Sequence, residues 1–205
     1  MDKVLLTIKK KFTAMCMASN IIFDVKGDLI MNDYIIFTDS TCDLDAEHIK
    51  ELGVKTIPLN FTYEGKSYID GAGLSYKDFY NLLREKKDIT TSQINAGTFI
   101  KEFEPYLKEQ KDILYIAFSS GLSGTYSSAK IAEADLQEKY PNRKIIVIDS
   151  LCASMGEGLL VHYAAEKKNN GASIEELAKW IENNKLNVCH WFTVDDLFHL
   201  KRGGR

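Results

Sequence analysis

Three times in 205 residues a short apolar run gives way to a loop of small hydroxyl residues and then to helical periodicity. Tyr34 to Phe37 precedes Thr38-Asp39-Ser40-Thr41-Cys42-Asp43, and Ile113 to Phe118 precedes Ser119-Ser120-Gly121-Leu122-Ser123-Gly124. Ile145 to Ile148 precedes the loop 149–155. Strands alternating with helices predict an α/β fold, a parallel sheet flanked by helices. In such a sheet the loops after the strands share one edge, where ligands bind. Small side chains let a loop approach a ligand closely, and the first amides of the following helix can point at an acidic group unpaired.

The pattern places most elements. Tyr34 to Thr38 reads as a buried strand, and Asp45 to Leu52 as a helix closed by Gly53. Val54 to Phe61 reads as one extended run, made irregular or placed at an edge by Pro58. Ser75 with Asp78 starts a helix through Arg84, and Asn95 caps one carrying Phe99, Phe103 and Leu107 at helical spacing. Helices are further predicted over 125–138, 156–168 and, from the Ser173/Glu176 capping box, to Asn184. The aliphatic run Ile145 to Ile148 predicts a central parallel strand covered on both faces. A strand over 188–194 and a helical turn over 195–200 follow.

Composition narrows the function. A net charge of -3 argues against a nucleic-acid partner. Cys16, Cys42, Cys152 and Cys189 form no CxxC, so neither a zinc site nor a disulfide framework is expected, and a reducing cytoplasm fits. Lys9-Lys10-Lys11 before Phe12 to Phe23 imitates a signal peptide, but Thr13, Ser19 and Asn20 interrupt the apolar run, which is also too short and polar to span a bilayer. Residues 1–30 are therefore expected to be an N-terminal extension, with the domain beginning near Met31.

The loops carry hydroxyls and glycine but little positive charge, which suits a carboxylate or a single phosphate. A P-loop is absent, as is a GxGxxG after a strand. The segment 89–93, carrying Thr91-Ser92-Gln93, is expected to be a loop joining the same edge. Neither Gly121-Leu122-Ser123-Gly124 nor Ser154-Met155-Gly156-Glu157-Gly158 fits the G-x-S-x-G elbow, and His48, His162, His190 and His199 fall outside the polar loops. No catalytic residue and no metal ligand set is therefore assigned.

Taken in order, the motifs resemble the DegV family of bacterial fatty-acid-binding proteins. The matching segments are Thr38 to Leu44, Ile57-Pro58-Leu59 leading to Tyr68-Ile69-Asp70-Gly71, Thr91-Ser92-Gln93 and Ser119 to Tyr126. Asp149-Ser150 with Gly156 and Gly158, Val194 to Leu197, and Leu200 to Arg205 complete the set. The resemblance implies a DegV-like α/β first domain over 31–171, with residues 172–205 as the incomplete start of a second α/β domain. It implies a long-chain fatty acid as ligand, no cofactor, and a carrier that presents the acid's carboxylate to a fatty acid kinase for phospholipid synthesis. The carboxylate-holding hydroxyls map onto Ser92 and Thr62. Ser40, Ser119, Ser120 and Gly121 are candidate head-group contacts, and Arg202 and Arg205 candidate contacts to phosphate or the kinase. Two other readings compete: a phosphotransfer or hydrolase enzyme using the serine loops, and a non-functional truncated remnant.

Overall fold

The computed structural model describes residues 21–23, 29–31, 34–85, 87–191 and 193. Ile21–Phe23 (β1) and Leu29–Met31 (β2), most of them within the expected extension, pair antiparallel with each other. β3 (Tyr34–Asp39) leads through a 3-10 turn at Ser40–Cys42 into α1 (Ala46–Leu52). Asp45 caps α1 by accepting the His48 amide at 2.8 Å, and Gly53 closes it at φ 65°.

After α1 come β4 (Lys55–Ile57), β5 (Asn60–Tyr63), β6 (Lys66–Ile69), α2 (Tyr76–Arg84) and β7 (Ile89–Ser92). They are followed by α3 (Ala96–Lys108), β8 (Asp112–Ala117), α4 (Thr125–Lys139), β9 (Ile145–Asp149), α5 (Met155–Asn169) and α6 (Ile174–Asn184). Ser75, Asn95 and Ser173 cap their helices, the last in a complete box with Glu176.

The main sheet has the order β4-β3-β8-β9, all parallel. Ile145 to Ile148 therefore forms an edge strand of this sheet, a correction to its expected central place. Its unbroken apolar run reports cover on both faces, which α4 and α6 supply, and that cover is independent of rank in the sheet.

Period-two alternation divides the core into two layers. Phe37, Ile113, Tyr115, Ala117, Ile145 and Val147 pack with Phe99, Phe103 and Leu107 of α3 and Ala129, Ala132 and Leu136 of α4. On the other face Tyr34, Ile36, Leu114, Ile116 and Ile148 meet Leu160, Val161, Ala164 and Ala165 of α5 and Ile174, Leu177 and Ile181 of α6. The segment expected to open a second unit at 172 thus shares, through α6, the core of the parallel sheet. Phe103 is fully buried among Phe37, Phe99 and Tyr115. Its truncation to alanine is expected to cost about 3–5 kcal/mol, read as a lowered urea midpoint with an unchanged m-value.

The extended run Val54 to Phe61 is broken at Pro58. Lys55–Ile57 joins the parallel sheet, whereas Asn60–Tyr63 becomes the centre of a separate antiparallel sheet, β6-β5-β7. Proline has no amide to donate, so the ladder ends where it stands. β5 and β6 form a hairpin whose turn residues, Glu64 and Gly65, both have positive φ (49° and 72°), as a two-residue type I′ turn requires. Residues 89–92, expected as a loop, are the third strand of this sheet. Of the expected strand 188–194, residues 188–191 and 193 are described and none lies in a strand; a 3-10 turn, Lys185–Asn187, precedes them instead. The turn expected over 195–200 lies outside the described residues, as do Arg202 and Arg205.

Candidate ligand site

Because β3, β8 and β9 run parallel, the loops that follow them meet at one edge of the sheet. Asp39, wholly buried at the end of β3, holds this edge together. It accepts the Thr41 amide at 3.1 Å and the Thr41 hydroxyl on one oxygen, and the Tyr115 hydroxyl at 2.7 Å and Phe118 amide at 3.1 Å on the other. One carboxylate therefore fixes the loops after both β3 and β8. Glu157, in the first turn of α5 and equally buried, accepts the Thr38 hydroxyl at 2.8 Å and lies 3.0 Å from the Thr41 hydroxyl. Burial, reinforced by the charge of Asp39, pushes the Glu157 carboxyl well above the usual range, which favours its neutral form.

The serine loop 119–124 is rigid from within. The Ser119 amide donates to the Cys152 carbonyl, and the Ser120 amide to Asp149 Oδ1. Those of Leu122 and Ser123 reach the Ser119 carbonyl, and that of Gly121 the Ser119 hydroxyl. Those five amides consequently do not form the open anion cradle that the composition suggests; what the loop presents outward is the exposed Ser120 and Gly121. Ser40 serves as a stitch, its hydroxyl accepting the Leu59 amide at 3.1 Å just ahead of β5.

A second set of stitches sits after β7. Gln93 donates to the Ser128 hydroxyl at 3.2 Å, and the Ile94 amide to the Thr125 hydroxyl at 3.3 Å. The antiparallel sheet is thus tied to the loop edge at the start of β5 and at the end of β7.

Within that sheet Asn60 faces Ser92, and Thr62 lies between Ser67 and Thr90. Residues opposite each other in an antiparallel pair share a face. Asn60, Thr62, Ser67, Thr90 and Ser92 therefore share one largely polar face with Ile69, and Thr62 and Ser92 are diagonal neighbours on it, roughly 7–8 Å apart. The Ser92 hydroxyl rests on the Asn60 carbonyl at 3.3 Å and is exposed; Thr62 is half-buried. The opposite face is aromatic, with Phe61 stacked on Tyr68 and edge-on to Phe79 of α2. A cavity of about 270 Å³ beside Thr62 is lined also by Thr90 and Lys87. Lys87 and Thr90 escaped the sequence reading, because only the β5–β7 register brings them to Thr62.

Burial pushes the Cys42 thiol up to about 12 and that of Cys152 up to about 11, so neither is a thiolate nucleophile at neutral pH. His48 and His162 face each other between α1 and α5 with ring nitrogens 3.0 Å apart. Among the described residues no group of three or more His, Cys, Asp and Glu side chains could hold a metal ion. No helix among them is long and apolar enough to cross a membrane.

A parallel α/β sheet covered on both faces, carrying a small antiparallel sheet with a hydroxyl-rich face at its loop edge, defines the class of protein. The chain belongs to the DegV family: the model described as "Uncharacterised protein, DegV family" matches residues 34–205. It is 48% identical over 177 residues to a DegV domain-containing protein of Clostridium perfringens, covering 85% of this chain and 61% of that protein. It is 38% identical over 172 residues to one from Lactococcus lactis, with 83% and 60% covered. Among solved structures, a fatty-acid-binding DegV family protein from Thermus thermophilus superposes with a TM-score of 0.73 at 32% identity, over 84% of this chain and 60% of that one. DegV of Bacillus subtilis, a fatty acid binding protein, superposes with a TM-score of 0.72 at 31% identity, over 84% and 61%. The chain spans about three fifths of the length of these relatives.

Proposed function

We propose that this chain binds a long-chain fatty acid and holds its carboxylate with the Ser92 and Thr62 hydroxyls. The observation that carries the reading is their placement on one face of the β6-β5-β7 sheet, with Ser92 at the end stitched to the loop edge and Thr62 towards the hairpin turn. The fatty acids bound by the Thermus and Bacillus relatives support it. Ser120 and Gly121 stand exposed at that edge as further head-group contacts, with Ser40 and Ser119 positioning the loops around them. The bound acid is presented to a fatty acid kinase in the cytoplasm, with Arg202 and Arg205 as contacts to phosphate or kinase, and the protein acts as carrier. Residues 31–171 are assigned to the first unit of that carrier and 172–205 to the start of the second, with α6 packed back on the sheet of the first.

A carboxylate is satisfied by hydroxyl donors without a fixed cation, each charge-assisted bond contributing about 1.5–3 kcal/mol. Burying roughly fourteen methylenes contributes on the order of 11 kcal/mol before the costs of association. Chain burial therefore sets affinity, while the hydroxyls set which end faces out.

The protein isolated from its own cells is expected to release a long-chain fatty acid on organic extraction. Ser92→Ala and Thr62→Val should each weaken the preference for oleic acid over its methyl ester about tenfold or more, leaving ester binding unchanged. Kinase-dependent acyl phosphate formation should fall further than acid retention. Equal loss of acid and ester, or loss of neither, would remove these hydroxyls from the site.

A further inference from the structure

Ser154 joins β9 to α5 with φ 52° and ψ -140°, a conformation that costs a residue other than glycine about 1–3 kcal/mol and persists only where the surroundings impose it. A serine on a strained turn directly before a helix is shared with the nucleophile elbow, although here the loop 150–154 separates it from β9. The segment Cys152-Ala153-Ser154-Met155-Gly156 keeps the second glycine of that motif and replaces the first by cysteine, which is why the motif itself is missing.

Three further observations converge on the same hydroxyl. Ser154 Oγ donates a hydrogen bond to Asp43 Oδ2, so a carboxylate already receives the proton that a nucleophile must lose. The Met155 amide, first in α5, makes no hydrogen bond among the described residues and follows the serine directly, where an elbow supplies an oxyanion donor. Finally, Ser154 lines an open cavity of about 550 Å³ with Leu44, Ala153, Leu159 and Val188, an apolar surface that suits an acyl chain. His48 and His162 line the same cavity. Neither Thr62 nor Ser92 lines this cavity.

We propose that Ser154 is an acyl-accepting nucleophile, with Asp43 as its base, acting on acyl esters of small alcohols. Ser154 Oγ attacks the ester carbonyl carbon while its proton passes to Asp43. The resulting oxyanion is held by the Met155 amide at the positive end of α5. Its collapse breaks the bond to the alcohol, which leaves with the proton from Asp43. Water, deprotonated by Asp43, then attacks the acyl-serine and releases a carboxylic acid, restoring Ser154 and its proton. No oxidant, reductant or cofactor enters. The activity goes beyond the carrier reading and does not rest on it.

The test uses the intact chain, a fluorophosphonate probe and p-nitrophenyl butyrate. One phosphonyl adduct is expected, on the peptide containing Ser154, together with butyrate ester hydrolysis that the probe abolishes. Ser154→Gly, whose backbone adopts the turn freely, should fold as the wild type does and lose both. Asp43→Asn should slow adduct formation tenfold or more. Absence of an adduct on the folded wild type, an adduct on another serine, or labelling that persists in Ser154→Gly overturns the proposal. An unchanged rate in Asp43→Asn overturns the Ser154–Asp43 pair.

Discussion

Replacing Gly158 by alanine is expected to destabilise the fold by about 3 kcal/mol or more, although the same change inside a helix ordinarily stabilises by about 0.5–1 kcal/mol. A Cβ at Gly158 would lie 2.4 Å from the Cys42 carbonyl oxygen and 3.1 Å from Leu44 Cδ2. The first of these is backbone, in a turn fixed by the bonds of Thr41 to Asp39, and cannot swing aside. Either α5 lifts from the loop or the loop leaves the sheet edge, and both routes strip the shared core. Gly156 provides the contrast. The three atoms nearest its Cβ would all belong to the His190 side chain, at 2.6–2.8 Å, and a side chain can rotate. Gly156→Ala should therefore cost much less. Urea denaturation followed by circular dichroism compares them, and an unchanged midpoint for Gly158→Ala would show that α5 does not pack so closely on the loop.

Glu157→Ala is expected to cost about 3–5 kcal/mol, while Glu157→Gln stays within about 1 kcal/mol of the wild type. Thr41 explains the difference. Its hydroxyl carries one hydrogen yet lies against both Asp39 Oδ1 and Glu157 Oε2, so one of the two carboxyl groups must supply the second hydrogen. Burial and the neighbouring charge of Asp39 place that proton on Glu157. The chain then runs from Glu157 to the Thr41 hydroxyl and on to Asp39, with Thr38 donating to the remaining oxygen of Glu157. A glutamine amide reproduces this, donating to Thr41 and accepting from Thr38. Alanine leaves two hydroxyls without that partner and a void beneath the sheet edge. The pH dependence has a definite sign. The acid's value is raised on folding, so its favourable contribution is complete below the ordinary glutamate value of about 4.3 and declines as pH rises. Relative to Glu157→Gln, the wild type should lose stability progressively over the range above about pH 4.3. A difference that is flat across that range would mean that no proton resides on Glu157.

Local rules were sufficient for much of the secondary structure. Ser75, Asn95 and Ser173 cap the helices they were expected to cap, and Asp45, read as the first residue of its helix, is that helix's cap, because a cap is a contact within four residues of chain. Lys66–Ile69 and Ile89–Ser92 were missed as strands, since short polar segments carry no strong alternation. Glu157 was equally hidden: a glutamate in the first turn of a helix ordinarily faces water and the helix dipole. Only the approach of α5 to Thr38 and Thr41 buries it.

The candidate site was read from composition and family resemblance rather than from local pattern. Ser92 and Thr62 stand thirty residues apart, and nothing between them states that they share a face. Strand pairing decides that, since a slip of one residue would turn Thr62 to the aromatic side. The chain by itself determined which segments become helix or strand and that its hydroxyl loops follow parallel strands, because those properties reside in spacing and short-range bonding. The rank of Ile145–Asp149 in the sheet, the break at Pro58 into two sheets and the burial of Glu157 were decided by tertiary packing. Each depends on which distant surfaces exclude water together, and no local interaction encodes that.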